Sequence, residues 1–140
     1  MRRITLLLLC LSILLSACGT PKGPCADVFY YPRSEAERLD GFFVPEPREL
    51  PAEVTLPALL ELYCAGPVTP GLENSLPSGT KVRSWDLTEG VLQLNFDASL
   101  SELSGVELTV ASGCLAQTFL ARCGAHTLVL TAEGTLLNGE

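Results

Sequence analysis

The sequence predicts an α+β sandwich with the element order β-α-β-β-α-β, in which two helices lie on one face of a mainly antiparallel sheet. Two segments carry apolar residues at helical spacing, one after Thr55 and one after Ser104. Between them, Val91 to Asp97 alternates apolar and polar residues, as a half-buried strand does. With 140 residues, the chain has room for one packed domain of this kind.

The first half of the domain is predicted to hold one strand, a short apolar run and one helix. Ala26 to Tyr31 is β-branched and aromatic and stops at a proline, which indicates a strand. Phe42 to Val44 is expected to form a hairpin partner or edge strand that ends at Pro45. Thr55 is a suitable cap for a helix that ends at Gly66. Its apolar stripe consists of Leu56, Leu59, Leu60, Tyr63 and Cys64.

The second half is predicted to begin with a hairpin between Lys81–Leu87 and Val91–Asp97. Val82 is out of phase with the later apolar residues of its strand, which a β-bulge would explain. Ser104 and Glu107 match a capping box at the start of the second helix. That helix is expected to reach about Ala121, and Thr127 to Ala132 is a last strand. Gly113 should weaken the helix by about 1 kcal/mol relative to alanine.

The N-terminus predicts export and a lipid anchor. Arg2 and Arg3 precede a short apolar run, which is typical of a secretory signal peptide over residues 1–17. Leu15-Ser16-Ala17-Cys18 resembles the bacterial lipobox, in which cleavage falls between Ala17 and Cys18. The resemblance implies a diacylglycerol on the Cys18 thiol and acylation, for example with palmitate, of its new amine. Residues 18–24 would then be the lipidated cysteine and a short tether, and residues 25–140 the folded domain.

Charge excludes some partners. Without residues 1–17 the chain has seven basic and 16 acidic residues, a formal charge of −9. An acidic chain without a basic patch is a poor ligand for nucleic acid, so no nucleic-acid partner is expected. Membrane contact is therefore expected through the lipid anchor rather than through charge.

The cysteines predict disulfides rather than redox chemistry. Four cysteines remain in the exported domain, and an even number in an oxidising compartment favours disulfides. Cys25–Cys64 is the preferred pair, because the first helix should return to the start of the first strand. Cys64–Cys114 is the competing pair, and Cys114–Cys123 would require a helix break near Gly113. The absence of a C-x-x-C pair argues against a thioredoxin-like site or a zinc ribbon.

The other reactive residues are interpreted as structural, so no catalytic residue, metal site or cofactor is predicted. His126 is the single histidine and is expected at the surface. The carboxylates near the hairpin are expected to be solvated strand-end charges, and four further glutamates to be surface charge. These two groups are Asp86, Glu89 and Asp97, and Glu46, Glu49, Glu53 and Glu61. Trp85, Tyr30 and Tyr31 are expected in the core, and any exposed one becomes the first candidate for partner contact.

The middle of the chain resembles the GerMN domain, also called the sporulation and spore germination domain. The resemblance covers roughly Ala26 to Gly134, including the helix around Leu115 to Leu120. Its main matching stretches are Phe42–Leu50, Ala58–Pro67, Gly71–Thr80 and Val82–Phe96. The resemblance implies a non-catalytic interaction domain of the bacterial envelope, and no catalytic residue is carried over from it. This chain differs from common members in its four cysteines and its short tail after Gly134.

The predicted function is that of an extracytoplasmic, membrane-anchored lipoprotein that binds an envelope protein or peptidoglycan near the membrane. One alternative is a small envelope solute-binding protein or enzyme, which needs a pocket with converging polar groups. Another is a thiol-redox protein, which needs an exposed cysteine of low pKa.

Overall fold

The computed structural model describes residues 26–34 and 42–137. The predicted signal peptide, the lipidation site Cys18, the tether and Cys25 lie outside the described residues. The α+β fold class is confirmed. The elements in chain order are β1 (Ala26–Tyr31), β2 (Val44–Glu49), α1 (Leu56–Cys64), β3 (Val82–Thr88), β4 (Val91–Phe96), a 3-10 turn (Ala98–Glu102), α2 (Gly105–Cys123), β5 (Thr127–Ala132) and β6 (Thr135–Leu136).

The first sheet is the antiparallel pair β1–β2, with the register running from Ala26 opposite Glu49 to Tyr31 opposite Val44. The prediction that this second strand ends at Pro45 is wrong, because β2 continues through Pro45 and Pro47. Both prolines occupy the same phase of an outer strand, so their missing N–H groups fall on its open side and no ladder bond is lost.

The second sheet has the strand order β3-β4-β5-β6. The predicted hairpin is confirmed: β3 and β4 are antiparallel, and both turn residues, Glu89 and Gly90, have positive φ, as a tight hairpin turn requires. The predicted bulge is also confirmed, since the register shifts between Val82 and Ser84. β5 runs parallel to β4, with α2 as the crossover between them, and β6 returns antiparallel to β5.

The strands are divided between two sheets, whereas the sequence suggested one. The division is explained by the edge of β1 that faces away from β2. The helices lie along that edge, in the place that a third strand would take. The Tyr30 N–H donates to Thr118 Oγ1 of α2 at 2.9 Å, and the Tyr30 carbonyl accepts from Tyr63 Oη of α1 at 3.0 Å. The backbone groups of Tyr30 are therefore already paired with the helices, and no further strand can pair with β1 at that residue.

Both helices form where predicted, but their details differ. Thr55 caps α1 by accepting from the Ala58 N–H. The prediction of a capping box at α2 is wrong. The Ser104 side chain makes no capping bond, and the backbone carbonyl of Ser104 accepts from the Glu107 N–H instead. Gly105, the first helical residue, has φ +51°, so the chain enters α2 by an irregular path.

The core lies between the β4 face, α1 and α2. Leu92, Leu94 and Phe96 of β4 are fully buried, as their alternation predicts. Four aromatic rings from β1, α1 and α2 pack next to them in edge-to-face, tilted and stacked pairs. These are Phe29, Tyr31, Tyr63 and Phe119.

Candidate functional site

A groove of about 700 Å³ lies between α1 and the first half of β3. The α1 wall carries Leu60, Glu61 and Cys64, and the opposite wall is the strand from Lys81 to Trp85. The groove therefore combines an apolar wall with charged residues at its rim, which suits the binding of a partner segment.

Trp85 forms the far end of this groove and is 44% exposed, which makes the prediction of a core position wrong. Its strand neighbour opposite is Leu94, which is buried, so Trp85 faces the same side of the sheet as the core. β3 is the outermost strand, however, and the cover of the helices ends before it. Leu87, two residues further along the same face, is 39% exposed for the same reason. Tyr31, by contrast, is fully buried, as predicted.

The turn from Pro77 to Thr80 fixes the floor of the groove. The N–H and the hydroxyl of Thr80 both donate to the Pro77 carbonyl, at 3.2 and 2.7 Å. Asp97 accepts from the Lys81 N–H at 3.1 Å and from the Ser99 hydroxyl. The Ser99 hydrogen bond, followed by the Lys81 N–H, holds the pKa of Asp97 below its usual range. Asp97 is thus a structural acceptor rather than one half of an acidic pair.

The three cysteines of the described region are free thiols of raised pKa. Burial raises the pKa of Cys64, at the groove wall, to about 11, and the carboxylates of Asp97 and Glu61 add to the effect. Burial also raises the pKa of Cys114 to about 12 and raises that of Cys123. Such thiols are almost fully protonated at neutral pH and are weak nucleophiles.

The geometry bears on two of the disulfide alternatives. α2 is continuous through Gly113, so Cys114 and Cys123 are separated by roughly 13 Å along one helix, too far for a bond. Cys64 and Cys114 are both unbonded here. The Cys25–Cys64 pair remains a prediction, because Cys25 lies outside the described residues.

The prediction that Glu46 lies at the surface is wrong, because this residue is only 2% exposed. Its Oε1 accepts from the N–H groups of Val68 and Thr69 at 2.9 and 2.6 Å, and its Oε2 lies 2.7 Å from Arg48 Nη2. Arg48 also donates to the Gly66 carbonyl and lies over the Phe29 ring. The pair joins β2 to the segment that follows α1.

The electrostatics of Glu46 follow from those contacts. Burial alone would raise the pKa of Glu46, but the hydrogen bonds from Thr69, Arg48 and Val68 outweigh it and hold the pKa below its usual range. A signal for this site was present in the sequence. The alternate prolines of β2 place Val44, Glu46 and Arg48 on the opposite, inward phase.

Two buried tyrosines complete the polar contacts of the core. The Tyr31 and Tyr63 rings stack with centroids 4.9 Å apart. Tyr31 Oη donates to the Tyr63 carbonyl, and Tyr63 Oη lies 2.8 Å from Ser75 Oγ. Burial raises the pKa of both phenols well above the usual value, so neither serves as an acid or base near neutral pH.

The remaining sequence candidates lie apart from the groove walls. His126 is exposed, as expected, with its Nδ1 3.0 Å from Thr127 Oγ1 and its ring against Gly90. Asp86 accepts from the Thr88 hydroxyl, and Glu89 lies in the hairpin turn. Across residues 26–34 and 42–137, no three His, Cys, Asp or Glu side chains gather as metal ligands. Within the same ranges, no helix has the length and apolarity to cross a membrane.

These features define a small α+β domain with an apolar surface groove between α1 and β3, in which Glu46, Arg48 and Asp97 make structural contacts. The chain belongs to the GerMN-domain family, because the Germane family model, described as sporulation and spore germination, matches residues 28–137. None of the curated proteins matches it.

Two solved structures have a similar fold. The first GerMN domain of the sporulation protein GerM from Bacillus subtilis is 19% identical, with a TM-score of 0.56 over 80% of this chain and 85% of that one. The tandem GerMN domains of the same protein are also 19% identical, with a TM-score of 0.55 over 80% of this chain. This chain spans 40% of that two-domain structure. At this identity the likeness concerns the fold.

Proposed function

We propose that this chain is a lipid-anchored protein of the bacterial cell envelope. Its GerMN domain binds a protein or cell-wall partner close to the membrane and catalyses no reaction. The observation that carries the binding role is the groove between α1 and β3, with the exposed Trp85 at its end. Tryptophan at a surface is costly to leave in water and is enriched at the centre of protein interfaces.

The lipobox at Leu15–Cys18 supports the anchor. β1 begins eight residues after the acylated position, and an extended chain of that length reaches at most about 28 Å. The groove would therefore stay near the bilayer surface. Confinement there raises the effective concentration of a partner in the same membrane, so that a modest affinity is sufficient.

The ionisable groups support a binding role rather than a catalytic one. Of the candidate nucleophiles, the thiols of Cys64 and Cys114 have pKa values far above neutral pH. The Asp97 carboxylate already accepts hydrogen bonds from the Lys81 N–H and the Ser99 hydroxyl. A nucleophile without an activating base or a lowered pKa contributes little to catalysis.

The anchor is tested by the intact mass of the full-length chain expressed in a bacterial host. We expect a mature protein that begins at an acylated Cys18, and a Cys18→Ser variant without the acyl mass. An unacylated wild-type protein would remove the anchor from the proposal.

The groove is tested by crosslinking at the membrane. Wild type and Trp85→Ala are expressed at equal levels and crosslinked in intact cells, with His126→Ala as an exposed control away from the groove. We expect a crosslinked envelope partner that Trp85→Ala loses and His126→Ala keeps. Equal crosslinking in all three proteins would exclude the groove as the binding surface.

A further inference from the structure

The outer edge of β3 is an unpaired sheet edge. β3 is the first strand in its sheet, and β4 lies on its other side. Thr88 and Val91 close the hairpin, and backbone groups alternate in direction along a strand. The N–H and C=O groups of Trp85 and Leu87 therefore point away from β4, toward the open edge. All residues from Arg83 to Thr88 are exposed, so another strand can reach this edge.

Charge is distributed unevenly along this strand. Lys81 and Arg83 stand at its start, and Asp86 and Glu89 stand at its end. All four side chains are exposed. A second β3 that runs antiparallel places the basic end of each copy opposite the acidic end of the other. A second β3 that runs parallel places like charges together, which is unfavourable between neighbouring strands.

The apolar side chains show the same self-complementarity. Trp85 and Leu87 face the groove side of the sheet, where α1 leaves them half covered. An antiparallel copy centred on Trp85 pairs Lys81 with Glu89 of the other copy and brings its own Leu87 opposite Arg83, a residue of the groove wall. Each copy would thus supply an apolar side chain to the groove of the other.

We propose that two copies of this chain associate antiparallel through their β3 edges, joining two four-stranded sheets into one, with Leu87 of each copy seated in the groove of the other. The proposal rests on the binding role of the groove given above and names its occupant. A two-fold axis along the bilayer normal keeps both anchors in the same membrane, so the arrangement suits tethered chains.

The test reverses the charge of one end of β3 at a time. Lys81→Glu/Arg83→Glu makes the strand wholly acidic, and Asp86→Lys/Glu89→Lys makes it wholly basic. Glu53→Lys/Glu102→Lys is the matched control, because it changes two exposed carboxylates away from β3 in the same way. Self-association is measured by sedimentation velocity on the full lipidated chain in a density-matched nonionic detergent.

We expect concentration-dependent dimers for wild type and the control, and self-association weaker by about tenfold or more for each reversed variant. An equimolar mixture of the acidic and basic variants should recover the wild-type dissociation constant. That recovery also separates a charge effect from misfolding, since an unfolded variant is not rescued by mixing.

Two results would overturn the proposal: a wild type that stays monomeric at every concentration, or reversed variants that dimerise as wild type does. The failure of this inference differs from that of the proposed function. If the wild type is monomeric but Trp85→Ala still loses an envelope crosslink, the groove remains the binding surface and its occupant is another protein. A fluorescence shift of Trp85, the chain's single tryptophan, with protein concentration gives a second readout.

Discussion

Replacing Glu46 by glutamine is expected to destabilise the domain strongly, although the two side chains have nearly the same shape. The glutamine oxygen can still accept from the Val68 and Thr69 N–H groups. Its amide nitrogen, however, would face the Arg48 guanidinium, which is a second donor. The substitution therefore removes the negative charge from a site where the carboxylate is 2% exposed and leaves Arg48 without its counter-charge.

The magnitude follows from these contacts. A hydrogen bond to a charged group contributes about 1.5–3 kcal/mol and a neutral one about 1 kcal/mol. Removing one partner of a buried ion pair costs about 3–5 kcal/mol. Because Arg48 keeps the Gly66 carbonyl as an acceptor, we expect a loss of about 3 kcal/mol. With an unfolding entropy of about 2.1 cal/mol/K per residue over about 110 residues, the melting temperature should fall by about 13 °C.

The assay is urea and thermal unfolding followed by circular dichroism, with Glu49→Gln as the control. Glu49 lies on the same strand but is exposed, so its substitution should change the free energy of unfolding by less than about 0.5 kcal/mol. The pH dependence is a second readout. Because the folded-state pKa of Glu46 is lowered, its contribution is present above the unfolded pKa and is lost as the pH falls. The gap between wild type and Glu46→Gln should therefore be constant above about pH 5 and close in more acidic solution.

A loss below about 1 kcal/mol for Glu46→Gln would refute this reasoning. So would a gap that widens as the pH falls, since that would require a raised carboxyl pKa in the folded state.

Three further predictions concern Gly113, Gly90 and Cys64. A Cβ at Gly113 would lie 2.4 Å from Phe43 Cζ, so Gly113→Ala should displace that ring and cost about 1 kcal/mol in wild type. In a Phe43→Ala background the same change should stabilise by about 0.5–1 kcal/mol through helix propensity; the same sign in both backgrounds would contradict the contact. Gly90→Ala should cost about 2 kcal/mol in urea unfolding, because φ is +78° and the His126 ring is 2.5 Å from the added atom; a neutral result would count against this turn. The iodoacetamide labelling rate of Cys64, followed by peptide mass spectrometry, should keep rising up to about pH 11, and a plateau near pH 8 would contradict the burial of this thiol. If labelling requires a reductant, Cys64 is bonded, as in the predicted Cys25–Cys64 pair.

Elements with local signals were predictable from the sequence. The β3–β4 hairpin depends on alternation in Val91 to Phe96 and on the glycine of its turn, both of which lie within a few residues. The irregular phase of Val82 predicted the bulge because the hairpin partner is adjacent in sequence. The bounds of α1 followed from Thr55 and Gly66 in the same way.

The groove and the sheet division could not be predicted, because both depend on contacts between distant segments. Whether Trp85 is covered depends on where α1 ends in space, which its own sequence does not encode. The division of the sheets depends on Thr118 reaching the backbone of Tyr30, 88 positions away. Glu46 looked like surface charge because its partners at Val68 and Thr69 are more than 20 residues downstream.

The two prolines of β2 limit how far strand pairing can spread between copies of the chain. Open sheet edges are the sites at which folded proteins template fibres. In the described part of this chain, Pro45 and Pro47 remove donors from the outer side of β2, and β6 is a strand of only two residues. Among the strands that the structure describes, only β3 therefore offers a long edge that can pair, and one added strand occupies that edge. Growth by strand addition should end after a single step, which protects the protein from polymerising into fibres.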